Sequence, residues 1–508
     1  MPVLPAENLD TTKAGSRRAG VSALDGLGRL QAPQYPSNPP PDFPIHINED
    51  ESSVTAAAGV SQRLLLDYLA NFKSSKASNG YTLGAFSWFV DQTIGGAVAT
   101  GTHGSSFKFN SLSSQLLALD VVLANGTLTT FTKASYPHLW KALQISVGRL
   151  GIITQLTLRI IPQQAVQRSQ AQLSDAQFAQ QIKLTQDAYT SALDGGNQSL
   201  VVAALAQLDE TQVFWFVPTQ NAWRVDYQKL DPSAVAANSS LSSEAANTTQ
   251  AGGSNPSQSA DTVSAMDGPS APDVHQQVAL PAQAPNPALA GNARWWSNFY
   301  ANLAQQTVAP GVFMDRQAYL SQTDSQSKQM QNMDPYDQYE VSVPLNIAGD
   351  CLQMVVNEAS SKNLGDGFRV PVLIRFIGDE QAYLANAHGG PRMFVNMEDH
   401  VSRQTGQPNH PFLQMVGLFR DKCQARLHWG KAGWPEFASC FDGATEYPDS
   451  WCDFGCAVQE LDPCSKFESM SNVWQWNATK GASPVDFASC CGSDGFSTDC
   501  QCVSRGTC

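Results

Sequence analysis

No run of this 508-residue chain is apolar for long enough to cross a membrane, and its first residues, MPVLPAENLDTTKAGSRRAG, lack the apolar core of a signal peptide. The sequence therefore predicts no export signal at this N-terminus. Basic residues are also scarce. Lys and Arg number 31 against 45 Asp and Glu, a formal charge of −14, and nowhere do they form a run able to neutralise a phosphate backbone. Nucleic acid is thereby excluded as an expected partner, and the acidity serves solubility. Cysteine is nearly missing from most of the chain, since of eleven only Cys351 precedes Cys423. Residues 1–45 have little apolar periodicity and end in a proline cluster, so they are expected to be disordered or extended.

What is present supports a large folded body. With 42% hydrophobic and 9% aromatic residues, the chain has the length for roughly three domains and the material for at least one large core. Ile45 to Val60 reads as strand-like, and Ser61 caps a helix whose Leu64, Leu65, Tyr68, Leu69 and Phe72 share a face. Farther on, Leu116–Leu123 and Leu128–Phe131 flank Asn125-Gly126, a strong short hairpin signal. A helix around Leu139–Val147 and a strand Ile152–Ile161 follow. Beyond Pro162 the pattern changes. Ser174 with Gln177 makes a capping box for a helix lined by Phe178, Ile182, Tyr189 and Leu193, and strands are expected at Ser199–Leu205, Val213–Val217 and Ala222–Tyr227. Pro232–Asn292 has no aromatic, no Lys or Arg and four acids, so it cannot bury enough surface to offset its ordering entropy. It reads as an inserted linker. Ordered character returns at Trp295, with strands at Tyr339–Pro344, Phe368–Phe376 and Arg392–Met397 and a helix near Cys351–Ser360.

Nine cysteines crowd between Cys440 and Cys508. Their spacing makes no pair of zinc knuckles and no histidine follows Cys440, so the reading favoured is a disulfide-stapled tail, with the odd thiol left to Cys423, Cys351 or a partner chain. Acceptor sequons for N-glycans stand at Asn125, Asn197, Asn238, Asn247 and Asn477. Tail and sequons point to the secretory pathway, the extracellular space or a membrane-associated location. The conflict with the N-terminus resolves if Met1 is not the true start.

The chain is organised around Asp91–Ser106, DQTIGGAVATGTHGSS, with four glycines, three threonines and two serines. Such a stretch cannot pack a core. Glycine lets backbone approach a ligand closely, and successive N–H groups can cradle an anion or face a flat ring. With its flanking helix, hairpin and closing VGRLGIITQLTLRIIP run, the segment resembles the flavin-facing part of the vanillyl-alcohol-oxidase superfamily, in particular the sugar-1,4-lactone oxidases and the related alditol oxidases. The resemblance implies FAD as cofactor. It places Thr93, Gly95, Gly96, Thr100, Gly101, Thr102, His103, Gly104, Ser105, Gly151 and Ile152 against that cofactor, with the backbone at 103 mattering more than the ring. It implies an α+β protein: a VAO/PCMH-type FAD-binding domain represented by its second half, plus an α+β cap or substrate domain. Nothing in residues 1–58 resembles the family's upstream Gly-x-Gly-His-Ser-like loop, so the expectation is that the chain as written binds FAD weakly or not at all, and not covalently through a histidine of that loop. The division that follows is residues 1–50 unassigned, 51–168 FAD-binding, 169–231 the first part of the cap, 232–292 linker, 293–470 the second part of the cap and 471–508 the tail, its cysteine-rich region starting near 440.

Two further constellations bear on chemistry. Arg426-Leu427-His428-Trp429-Gly430-Lys431 is similar to the family's Arg-Pro-His-Trp-Gly-Lys signature, and Leu461-Asp462-Pro463 with Phe467 resembles its closing motif. Oxidising a secondary alcohol requires removal of the hydroxyl proton and stabilisation of the oxygen as charge develops, and Lys431 and His428 can do both. In Pro371–Phe376, PVLIRF, Arg375 matches the arginine that holds substrate in relatives, while Leu373 replaces the glutamate that balances it. Arg375 alone reads equally as an exposed strand arginine. No metal site is expected. The resemblance implies oxidation of an aldono-1,4-lactone to an ascorbate-like product, electrons passing to oxygen or a protein acceptor. An alditol oxidase, or a flavin-free secreted glycoprotein, are the alternative readings.

Overall fold

Ser61 begins the first helix as its residue type predicts. In the computed structural model of the chain, which describes residues 43–87, 89–230, 293–307, 310–320, 336–468 and 473–505, the Ser61 hydroxyl accepts from the Leu64 N–H at 3.2 Å. It opens α1 (Gln62–Asn71), which buries Leu65, Leu66, Tyr68 and Leu69. Around it, β1 (Ile45–Ile47) and β2 (Ser53–Ala57) precede a short β3 (Tyr81–Thr82), α2 (Ile94–Ala99), β4 (Leu116–Val122) and β5 (Leu128–Phe131). Next come α3 (Pro137–Leu143), β6 (Ile152–Arg159) and β7 (Ile161–Pro162). The strands form an antiparallel sheet ordered β1-β2-β6-β4-β5, and β3 pairs with β7 beside it. The hairpin closes at Asn125-Gly126 as expected, with Gly126 at φ +86 and Asn125 Oδ1 accepting from Thr127.

The change of character after Pro162 is a change of sheet. An eight-stranded antiparallel sheet starts with β8 (Ala165–Ser174), β9 (Thr211–Phe216) and β10 (Asn221–Lys229). It continues with β11 (Gly311–Met314), β12 (Asp337–Pro344), β13 (Val372–Ile377), β14 (Arg392–Asp399) and β15 (Arg426–Leu427), in the order β11-β8-β10-β9-β13-β14-β12-β15. Two long helices pack together: α4 (Asp175–Asp194), opened by the Ser174–Gln177 capping box, and the helix Leu345–Ser361. They approach so closely at Gly349 that a Cβ there would lie 2.3 Å from Lys183 Cα. The expected linker Pro232–Asn292 lies outside the described residues, as does the proline-rich start.

One expected strand is a helix. Residues Gln198–Leu205 form α5, because Asn197 Oδ1 accepts from the Leu200 N–H at 3.2 Å and caps a run whose Ala203 and Ala204 favour the helical state. The valines at 201 and 202 had argued for a strand, and the cap outweighs them.

The tail is oxidised. Cys452–Cys502 and Cys456–Cys491 tie the helix Trp451–Leu461 to short strands near the C-terminus, Cys490–Cys500 closes a loop within that region, and Cys440 is also disulfide-bonded. Cys351 and Cys423 are not spare thiols: they are buried, and they bond to each other across 72 residues. Among the described residues the free cysteine is the exposed Cys464. Stacked indoles of Trp429, Trp474 and Trp451 dock this tail on the turn that follows β15.

Candidate active site

The glycine-rich segment folds back on itself between the two sheets. Gly95 packs on Ala58, where a Cβ would meet the Ala58 Cβ at 2.7 Å, and Gly104 faces the Phe86 carbonyl at the same distance. Gly101 turns the chain at φ +73. Thr93 and Gly96 are exposed on α2, with Ala99, Thr100 and Thr102 half-exposed, so one open face of the segment carries only small residues. The other face enters the protein: Phe376 N–H donates to Ser105 Oγ at 3.0 Å, and Ser106 bridges to Ile377 in parallel.

Onto this segment folds the turn after β15. Gly430 lies so near Thr100 that a Cβ would stand 2.8 Å from its Oγ1. The His428 ring has both nitrogens engaged, Nδ1 accepting from Gly430 N–H at 3.0 Å and Nε2 facing Gly101 O at 3.3 Å. That pattern is the neutral Nε2–H tautomer. Burial accordingly pushes the His428 pKa down to about 3. The turn delivers Lys431 Nζ to Gln338 Oε1, to within 3.9 Å of Glu340 Oε2 and over the Phe89 ring at 5.2 Å. Burial lowers the Lys431 pKa despite the nearby Glu340, although 16% of its side chain remains exposed.

Glu340 is the hub of the site. Its Oε1 accepts from Arg375 Nη2 at 2.7 Å and lies 3.2 Å from His103 Nε2 without hydrogen-bond alignment. Arg375 Nη1 also donates to the His103 carbonyl at 2.8 Å. Burial would raise the Glu340 carboxyl, but Arg375 and the neighbouring imidazoles more than offset this and hold it well below the usual carboxylate range. His103 is pushed down by burial and by Arg375, packs on Phe394 at 4.2 Å and places Nδ1 2.9 Å from Gly104 O. Its single proton is therefore sought by two acceptors. His103, Glu340 and His428 also present ligand atoms within 4.8 Å of one another, a metal-like grouping. Both oxygens of Glu340 already face cations and both nitrogens of His428 are engaged, so the grouping is an ion-pair network.

The structure brings Lys431, His428, Arg375 and His103 together against Thr100–Ser105 and corrects three expectations. Arg375 is no exposed strand arginine, being 5% exposed. The His103 ring, and not its backbone alone, belongs to the site. The carboxylate missing at Leu373 is supplied by Glu340 two strands away: Leu373 opposes Asn396 and Asn396 opposes Glu340, one row across β13, β14 and β12. Leu373 itself packs with Phe214, Trp223 and Tyr227. Sequence reading missed Glu340, Gln338 and Asn396. The available signal was an acid in Tyr339–Pro344, a strand otherwise suited to a core. Gly151 and Ile152 stand apart from this cluster, at the start of β6 beside Val121 and Val122.

The site suits a flavin on two counts. The small-residue face of α2 is open, and beside it His103 Nε2, Glu340 Oε2, Arg375 Nε and Asn396 Nδ2 are buried without a protein hydrogen-bond partner. Thr93, Gly96, Thr100 and Thr102 would hold the ring, with the buried polar cluster facing the substrate.

Residues 44–132 match the FAD binding domain family and residues 289–476 the D-arabinono-1,4-lactone oxidase family. The D-arabinono-1,4-lactone oxidase of Eremothecium gossypii is 34% identical over 122 residues, 23% of this chain and 22% of that protein. The L-gulonolactone oxidase of Bos taurus is 29% identical over 119 residues, 23% of this chain and 26% of that protein. These alignments span about a quarter of each relative's length. Among solved structures, cholesterol oxidase from B. sterolicum superposes with a TM-score of 0.54 at 14% identity over 85% of this chain and 82% of that one, a likeness of fold. The fold is the α+β, VAO/PCMH-type FAD-binding architecture. An FAD-binding match followed by a D-arabinono-1,4-lactone oxidase match, laid over this geometry, shows two stretches of the chain that are similar to these families, so that the protein resembles the sugar-1,4-lactone oxidase group.

Proposed function

We propose that the protein oxidises the ring carbinol of an aldono-1,4-lactone with FAD as cofactor. The observation that carries this reading is the buried Lys431–Glu340–Arg375 network set against the glycine-rich segment. FAD, when bound, supplies the acceptor for the hydride. Lys431, whose pKa burial lowers, is the base for the hydroxyl proton. Arg375, held in place by Glu340 and the His103 carbonyl, directs its remaining donor capacity at the substrate oxygen as negative charge grows there. His428 keeps the Gly430–Lys431 turn in register and is a positioning residue, because both its nitrogens are spoken for.

The relatives matched here are named for lactones of arabinono and gulono type, and a neutral polyhydroxylated ring suits a pocket of donors balanced by one carboxylate. The test is anaerobic mixing of FAD-loaded protein with a panel of aldono-1,4-lactones and alditols. Bleaching of the flavin band by a lactone and not by alditols is expected. Bleaching by alditols alone overturns the assignment in favour of a sugar-alcohol oxidase.

A further inference from the structure

Asn477-Ala478-Thr479 stands inside the disulfide-bonded tail, and its structural setting differs from that of the other described sequons. Asn125 and Asn197 use their amide oxygens locally, the first in the hairpin turn with Thr127 Oγ1 at 2.7 Å, the second as the cap of α5 at 3.2 Å. Asn477 is exposed, and its side chain makes no hydrogen bond with the described residues. Along this stretch burial alternates. Trp474 and Ala478 point inward, while Gln475 and Asn477 point to solvent. The backbone at the same place is fully used: Val503 N–H donates to Asn477 O at 3.0 Å, and Ala478 is paired with Cys502. Cys502 is in turn bonded to Cys452. Bonds of this kind form in an oxidising compartment, and in eukaryotic secretory cells that lumen also holds the transferase of N-linked glycans.

We propose that Asn477 is an N-glycosylation site and that the Cys452–Cys502 bond closes after the glycan is attached. In the transfer, Asn477 Nδ2 attacks the anomeric carbon of a lipid-diphosphate-linked oligosaccharide. The C–N bond forms as the bond from that carbon to phosphate oxygen breaks, the lipid diphosphate leaves, and the Nδ2 proton passes to a base of the transferase. That transfer involves no redox change; the Cys452 and Cys502 thiols then form their bond by exchange with a disulfide of the lumen, which takes up the two electrons and two protons. The acceptor peptide has to enter the transferase as a free extended strand, and Ala478 paired with Cys502 beneath the Cys452 bridge cannot do so. Once the sheet is closed, the outward Asn477 carries its glycan on the solvent side with no backbone bond disturbed.

The test directs the full chain into the secretory lumen of a eukaryotic host and measures occupancy at Asn477 by glycopeptide mass spectrometry, with Asn477→Gln as the control that removes the signal. Occupancy is expected in the wild-type chain and, where it is incomplete there, is expected to rise in the Cys452→Ser/Cys502→Ser double variant, where closure no longer competes. An unmodified Asn477 in both chains overturns the site. Modification in the double variant alone overturns the assignment for the mature chain, equal but incomplete occupancy in the two overturns the order of events, and complete occupancy in both supports it.

Discussion

Replacing Glu340 by Gln isolates the charge at the centre of the site while keeping its shape. The carboxylate is 1% exposed, bonded to Arg375 at 2.7 Å and 3.9 Å from Lys431, so its removal leaves the buried Arg375 without its anionic partner. Removing one partner of a buried pair costs about 3–5 kcal/mol, and the amide oxygen that Gln retains places Glu340→Gln at the lower end, ~3 kcal/mol. Replacing both partners, Glu340→Leu with Arg375→Met, should recover much of that loss, because the Arg375 charge is then not left buried alone. Urea titration followed by tryptophan fluorescence reads both values. The pH dependence supplies a second check. A carboxyl held below its ordinary range contributes stability above that range and loses it as pH falls through the folded-state value, so wild type and variant should converge in acid. A Glu340→Gln protein within ~0.5 kcal/mol of wild type at neutral pH refutes the central role given to this carboxylate.

Other expectations follow from the same geometry. Lys431→Met in FAD-loaded protein should lower kcat by about 10²–10⁴-fold with little change in KM, because proton removal occurs only on the way to the transition state; a pure KM effect would assign Lys431 to binding. His428 has a folded-state pKa of about 3 against an ordinary 6.5, so between those values the unfolded chain binds a proton that the folded one does not, and stability should fall with falling pH. Its slope is at most about 1.4 kcal/mol per pH unit, and His428→Gln should flatten it. Removing the buried Cys351–Cys423 bond with alanines frees a 72-residue loop and should cost about 4 kcal/mol in denaturant titration. Thiol titration of denatured, unreduced protein should find one thiol per chain, alkylated at Cys464.

Local signals in the sequence carried the elements well. Ser61, the Ser174–Gln177 box and Asn125-Gly126 each act through bonds within a few residues, and each stands where it was read. Gln198–Leu205 failed because propensity and cap pointed in opposite directions. Half of the site was legible, since the glycine-rich segment and the His428–Lys431 turn are contiguous in sequence. The other half is a row across three strands. Its members Leu373, Asn396 and Glu340 become neighbours only through register, which nothing in one sequence displays. The Leu373 position therefore read as a lost carboxylate when the charge stands two strands away. A glutamate restored at 373 would enter the cluster of Phe214, Trp223 and Tyr227 and is expected to destabilise the fold.

The stretch from His103 to Ser114 belongs to both halves of the molecule. It supplies the wall of the site, and through Ser105 to Phe376, Ser106 to Ile377 and Ser111 and Ser114 to the buried Glu380 it is also stitched to the edge of β13 and the loop beyond. Mechanically this is a weld and not a hinge. Domain closure of the kind that swings two lobes over a substrate would have to tear these bonds. Occupancy of the site should then register in stiffness: the amide protons of Phe376 and Ile377 should exchange more slowly when the wall is loaded.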